Sequence, residues 1–346
     1  MPVDFATFDM GNEAHWLPLA WAVLLAVAVA LYVVLDGFDL GLGILFPFAD
    51  TEEHRDVMMN SVAPFWDGNE TWLILGGGGL FVAFPLAYGI IMPALYLPVI
   101  IMLLALVFRG VAFEYRWVAK PRHGLWDAAF AYGSITAAFM QGVILGGFLQ
   151  GITVANRAFA GGPLDWLTPF ALFVGVAVVF GYALLGTTWL VFKTEGEIAA
   201  EARQRSLWLL PVVLVAMLVV SVWTPLADQR IAERWFSWPN MLYLSPVPLL
   251  TACAALIVWR GLVTGREVSP FLGAIALFLL GFAGLGVSTL PYLVPPSVTI
   301  WEAAAPPASQ MFMLVGTVIL LPMILGYTAL TYWTFRGKVR IGDGYH

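Results

Sequence analysis

Long apolar stretches separated by short polar segments occupy the chain from residue 17 to residue 335. A helix that crosses a bilayer needs about 20 mostly apolar residues. Runs of that kind lie at 17–44, 72–90, 92–110, 126–150, 167–192, 207–225, 241–260, 270–293 and 311–335. The second and third are the hardest to separate, because Pro85, Pro93 and Pro98 crowd the region between them. Nowhere does the period-2 alternation of an outer-membrane strand replace these continuous runs. The pattern predicts an all-α polytopic membrane protein with about nine transmembrane helices. The segments 151–166, 226–240 and 294–310 are too short to fold by themselves, so residues 1–346 read as one transmembrane domain.

Lys and Arg concentrate in cytoplasmic loops of membrane proteins. With the N-terminus periplasmic, the inner segments hold Arg55, Arg109, Arg116, Lys120, Arg122, Lys193, Arg203, Arg205, Arg260, Arg266, Arg336, Lys338 and Arg340. The outer segments hold only Arg157, Arg230 and Arg234. This asymmetry predicts a cytoplasmic C-terminus and a multi-pass protein of the bacterial inner membrane. Residues 1–15 contain no Lys or Arg, which argues against a cleaved signal peptide.

Composition narrows the function classes. At 61% hydrophobic and 11% charged residues, the chain lacks the polar surface of a soluble protein and the polarity of a disordered one. A net charge of −6 offers nothing to nucleic acid. The lone Cys253 excludes an intrachain disulfide, a zinc knuckle and a CxxCH haem attachment. His15, His54, His123 and His346 fall in predicted loops or tails and read as solvated, whereas a haem held between helices needs imidazoles at mid-span. No cofactor is expected on this chain directly. Gly76-Gly77-Gly78-Gly79 lacks the Lys and Ser/Thr of a phosphate loop and reads as close packing or a local break in a span. Gln141 and Gln150 are expected to hydrogen-bond between helices.

Ionisable residues near spans carry the sharpest signal, since each costs several kcal/mol in hydrocarbon. The first span ends in Asp36-Gly37-Phe38-Asp39-Leu40-Gly41-Leu42-Gly43, and the i, i+3 spacing sets both carboxylates on one helix face. Asp67 and Glu70 open the second span at the same level. Two readings stand side by side. The acids form a proton entrance at the cytoplasmic face, or Asp67 and Asn69 cap a helix while Asp39 satisfies backbone near the glycines. Arg109, Glu114 and Arg116 at the end of the third span read as topogenic charges or as an ion-paired face toward a partner. Glu302, the one charge in a proline-rich outer segment, reads as a solvated acid or a gate. A secondary transporter or proton-coupled carrier would need a polar midplane site. Here the middles of the spans are apolar, which favours an energy-coupling subunit.

Three blocks then point to a family: Leu35-Asp36-Gly37-Phe38-Asp39-Leu40-Gly41, the stretch Met59-Asn60-Ser61-Val62-Ala63-Pro64-Phe65-Trp66-Asp67-Gly68-Asn69-Glu70-Thr71-Trp72-Leu73, and Phe108-Arg109-Gly110-Val111-Ala112-Phe113-Glu114-Tyr115-Arg116. Together with Pro296-Ser297, Trp301-Glu302-Ala303 and Ser309-Gln310, they resemble subunit II of cytochrome bd-type quinol oxidases over essentially the whole chain. Phe46-Pro47-Phe48 and the stretch 161–170 resemble the cyanide-insensitive branch. The resemblance implies two four-helix bundles plus one peripheral helix. It implies a heterodimer in which subunit I carries haems b and d, or b only, oxidises quinol at the outer face and reduces O2 to water, generating proton motive force by charge separation. It leaves open whether a small single-span third subunit joins, and whether quinone, besides being the substrate, sits here as a structural lipid. By the same resemblance, Asp36 and Asp67 start a cytoplasmic proton path, with Asp39 beside it, and Trp72 lies near the mouth of an O2 conduit from the membrane lipid; Glu70 joins the path by its place at the level of the other acids. Where some relatives carry His, this chain has Phe65, so the path would rely on carboxylates and water.

Overall fold

The computed structural model describes residues 8–119 and 123–342; Lys120, Arg122 and His346 lie outside the described residues. The first helix, α1 (Glu13–Leu45), starts where the Asn12 side chain accepts the Ala14 N–H, satisfying one of the donors a helix start leaves free. A short 3-10 turn (Phe46–Phe48) leads to α2 (Glu52–Asn60), capped by Thr51. Then come α3 (Trp66–Ala83), α4 (Pro85–Ala94) and α5 (Tyr96–Val118). The expected second run, 72–90, is therefore divided. The chain turns at Phe84 (φ −136°, ψ 62°), and Pro85 opens α4, the position where a missing N–H costs nothing.

After α6 (Gly124–Leu149) a two-stranded hairpin, β1 (Val154–Ala155) and β2 (Ala158–Phe159), precedes α7 (Pro169–Lys193) and α8 (Gly196–Ala227). Two short helices, α9 (Gln229–Phe236) and α10 (Asn240–Leu244), lead to α11 (Pro246–Val263) and α12 (Val268–Thr289). A second hairpin, β3 (Tyr292–Val294) and β4 (Val298–Thr299), is followed by α13 (Ile300–Ala303) and α14 (Pro307–Thr334).

Among the described residues, eight helical segments are long and apolar enough to cross a membrane: α1, α5, α6, α7, α8, α10–α11, α12 and α14. Helix α3 carries Asp67 and Glu70, so its apolarity falls short of theirs, but it runs antiparallel along α1: Asn69 meets Leu35, Gly76 faces Val29 and Gly79 faces Leu25. Helices α1, α3, α5 and α6 form one four-helix group and α7, α8, α11 and α12 a second. Helix α7 joins them by packing on α1 and α6, and α14 lies outside against α1 and α3.

The joint between the groups is a backbone-to-backbone crossing. A Cβ on Gly41 would stand 2.0 Å from the Tyr182 carbonyl oxygen, and one on Gly186 would stand 2.6 Å from the Gly41 carbonyl carbon. Only glycine permits that approach.

The loops that the Lys and Arg count assigns to opposite sides segregate to opposite ends. At one end Arg205 donates to the Phe48 carbonyl (2.7 Å), Arg203 to Leu262 (3.0 Å), and Lys338 pairs with Glu267 (2.8 Å). At the other end the Ile152 N–H donates to Pro295 (3.0 Å) and the Trp301 indole to the His15 carbonyl (2.9 Å).

Candidate functional site

The Asp36–Gly43 segment divides its residues by face. Gly37 and Gly41 turn toward Tyr182 and α7, while Asp36 and Asp39 turn toward α3 and α5. At 1.5 Å per residue, Asp36 lies about 14 Å before the end of α1. Its Oδ1 accepts from Arg109 Nη1 at 2.5 Å, and Arg109 Nη2 donates to Glu70 Oε2 at 2.8 Å. Both Asp36 and Arg109 are fully buried, whereas the Glu70 side chain keeps 27% of its surface open. Asp39, equally buried, meets a neutral partner: the Asn69 amide donates to its Oδ2 at 2.8 Å and to the Leu35 carbonyl at 3.3 Å. The other face of that amide accepts from the Tyr332 hydroxyl of α14 at 2.9 Å.

A hydrogen-bonded chain leads from Asp36 into the joint between the two groups. Tyr182 donates to Gln141 Oε1 (2.6 Å), Gln141 Nε2 donates to the Tyr32 hydroxyl oxygen (2.7 Å), and Tyr32 lies one turn from Asp36, within side-chain reach. Gln141 thus links three helices, as expected of a polar residue in an apolar run.

Within the cluster three carboxyl groups face one guanidinium. Asp36 Oδ2, Asp39 Oδ1 and Arg109 Nε have no hydrogen-bond partner. A buried charge is tolerable only when paired and hydrogen-bonded, so the Asp36–Arg109 pair is the fixed element of the site. The carboxyl excess over cations supplies groups able to take up or give off a proton.

The other sequence-predicted residues fall outside this core. Asp67 is exposed in the first turn of α3, one turn from Glu70, where the helix dipole favours a negative charge. The N-cap position of α3 is Phe65, so neither Asp67 nor Asn69 caps it. Trp72 is buried among Ala28, Tyr32 and Leu321, between α1, α3 and α14. Glu114 is exposed on α5. Glu302 forms a capping box with Thr299 at the start of α13, a structural task.

Arg109 and Arg116 differ from the topogenic reading. Seven residues apart, they share one face of α5, and both are fully buried. Arg116 anchors a second charged group about 10 Å further along the helix. It donates to Asp56 Oδ1 (2.5 Å) and to Asp127 Oδ1 (2.6 Å), and lies over the Phe46 ring. His123, read as a solvated loop residue, is buried there between Glu52 (2.6 Å) and Asp127 (3.1 Å). His54 is also buried, on α2. Among the described residues no three His, Cys, Asp or Glu side chains are grouped to hold a metal ion.

Sequence reasoning missed Tyr332, Tyr32 and Tyr182 as members of the site, and Asn69 as the partner of Asp39. The tyrosines were visible only as polar groups within apolar stretches, and Asn69 only as a possible helix cap.

Comparison with known proteins gives one answer. Residues 17–335 match the family model described as cytochrome bd terminal oxidase subunit II. The chain is 30% identical to cytochrome bd-I ubiquinol oxidase subunit 2 of Escherichia coli K12, over 94% of this chain and 96% of that one. It is 28% identical to cytochrome bd ubiquinol oxidase subunit 2 of Bacillus subtilis, over 92% and 96%. Its fold is similar to a chain in the structure of bd oxidase from Geobacillus thermodenitrificans, with a TM-score of 0.71 and 16% identity, covering 92% of this chain and 98% of the other.

Proposed function

From the premise that the chain belongs to the cytochrome bd terminal oxidase subunit II family, and so is a subunit of a membrane quinol oxidase, we propose that it supplies a haem-bearing subunit I with protons from the cytoplasm and with O2 from the lipid. The observation that carries the proton path is the buried group Asp36, Asp39 and Glu70 around a single Arg109. In this reading exposed Asp67 collects protons at the surface. Half-open Glu70, one turn away, receives them, and Asp39 holds the next site inward. Electron transfer from quinol at the outer face and proton uptake from the inner face then separate charge without a pump.

The family's haems belong to the partner subunit. Among the described residues, the histidines lie at helix ends or on α2. An outside N-terminus is supported by the basic count: without the buried Arg109 and Arg116, eleven Lys and Arg still stand on the inner side against three outside. The proposed O2 conduit at Trp72 is supported by its largely apolar surroundings on α1, α3 and α14, since O2 partitions into hydrocarbon. Ubiquinol is named for the relatives; quinol of either class suits the reaction here.

The test is co-expression with and without subunit I, followed by a reduced-minus-oxidised optical spectrum and quinol-driven O2 consumption in liposomes. The proposal expects haem and activity only with both subunits, with a membrane potential positive outside. Haem ligated by the isolated chain, or solute movement by the chain alone, would overturn it.

A further inference from the structure

The amide of Asn69 has two ends, and α1 decides which faces Asp39. The Leu35 carbonyl only accepts, so Nδ2 faces it and Asp39. The other end, Oδ1, accepts from the Tyr332 hydroxyl at 2.9 Å, which holds the amide in that place. The phenol is itself held. Its ring stacks on Phe65 with centroids 4.3 Å apart and planes at 10°. Three residues on, the end of α14 is fixed by the ammonium of Lys193, which donates to the Phe335 and Gly337 carbonyls at 2.6 Å each. The Val339 N–H returns a bond to the Lys193 carbonyl at 2.8 Å. Most of α14 is otherwise exposed, with Gln310 its buried residue. The chain thus spends a buried lysine and a tail segment on fixing the end of a peripheral helix beside the acid cluster.

Asp36 and Asp39 are consequently unlike. Asp36 is bound through Oδ1 to a buried cation at 2.5 Å, and only its Oδ2 is left without a hydrogen-bond partner. Asp39 has only the neutral amide, and its Oδ1 is unpartnered. We propose that Tyr332 is a positioning residue: through Asn69 it orients the one acid of the pair that exchanges protons, Asp39, while Asp36 stays locked to Arg109. This rests on the proton-path reading above.

The experiment uses the assembled oxidase in four forms: wild type, Tyr332→Phe, Asp39→Asn and the double variant. Tyr332→Phe keeps the ring stack and removes only the hydroxyl. A neutral hydrogen bond contributes on the order of 1 kcal/mol, so kcat for quinol oxidation should fall about fivefold, with the quinol KM and the haem spectrum unchanged. In infrared difference spectra, the carboxyl-stretch band that Asp39→Asn removes should be displaced in Tyr332→Phe, a response that simple loosening of α14 would not give. In the double variant Tyr332→Phe should add nothing further. If Asp39→Asn abolishes turnover while Tyr332→Phe leaves both kcat and that band unmoved, the positioning role is wrong and the proton path stands. If Asp39→Asn itself turns over normally, the proton path fails and this inference with it.

Discussion

Asp36→Asn and Asp39→Asn are the same chemical change three residues apart, and the structure assigns them unequal consequences for stability. Asp36→Asn removes the 2.5 Å partner of a guanidinium with no exposed surface. Removing one member of a buried ion pair costs about 3–5 kcal/mol. Glu70 remains at 2.8 Å from the same guanidinium, which places the loss near the lower end, about 3 kcal/mol. Asp39→Asn exchanges one partner of a neutral amide for another, and a single rearranged hydrogen bond costs about 1 kcal/mol or less. At about 2 °C per kcal/mol for a chain of this size, the apparent Tm should fall by about 6 °C in the first variant and by about 2 °C or less in the second. The assay is thermal unfolding of the detergent-purified oxidase at one fixed scan rate, with haem retention read in parallel. Adding Arg109→Met to Asp36→Asn removes the stranded charge and should recover part of the loss. Equal Tm losses for the two single variants, or a double variant that loses the full sum, would show that Asp36 and Arg109 are not the fixed pair of the site.

Other outcomes follow from the same geometry. Asp67→Asn, at an exposed surface position, should leave assembly and haem content intact and slow O2 reduction under saturating quinol; unchanged turnover would remove Asp67 from the path. Trp72→Ala deletes a buried indole between α1, α3 and α14, so the rate of O2 binding after photolysis of the CO complex should rise, and an unaltered rate would end the conduit assignment. Gly41→Ala puts a methyl group where the Tyr182 carbonyl oxygen lies 2.0 Å away, so immunoblots of membranes should show little assembled subunit. Normal amounts would mean that α1 and α7 separate readily.

The spans were legible because hydrocarbon demands long apolar runs, and the acid pair because i, i+3 spacing fixes a face whatever the surroundings. The break at Phe84–Pro85 was masked by apolar residues on both sides of it. Arg109 and Arg116 carried two readings in the sequence, topogenic or ion-paired, for a physical reason. A cation near a helix end has the same sequence signature whether it reaches water or pairs inside, and only the counter-charges on α1, α2, α3 and α6 tell the cases apart. Tyr332 and Asn69 are 263 positions apart, so no local pattern joins them. Asp67 carried as strong a signal as Asp36, yet one is at the surface and the other has none, because depth depends on where a helix begins.

The contact between Gly41 and Gly186 has a mechanical corollary. Two helices in touch through their main chains have no cushion of side chains to deform, so neither can slide without lifting away entirely. The halves of the molecule are left with a pivot and no shear plane. Asp36 and Asp39 ride on the strut that holds that pivot, which keeps their spacing constant.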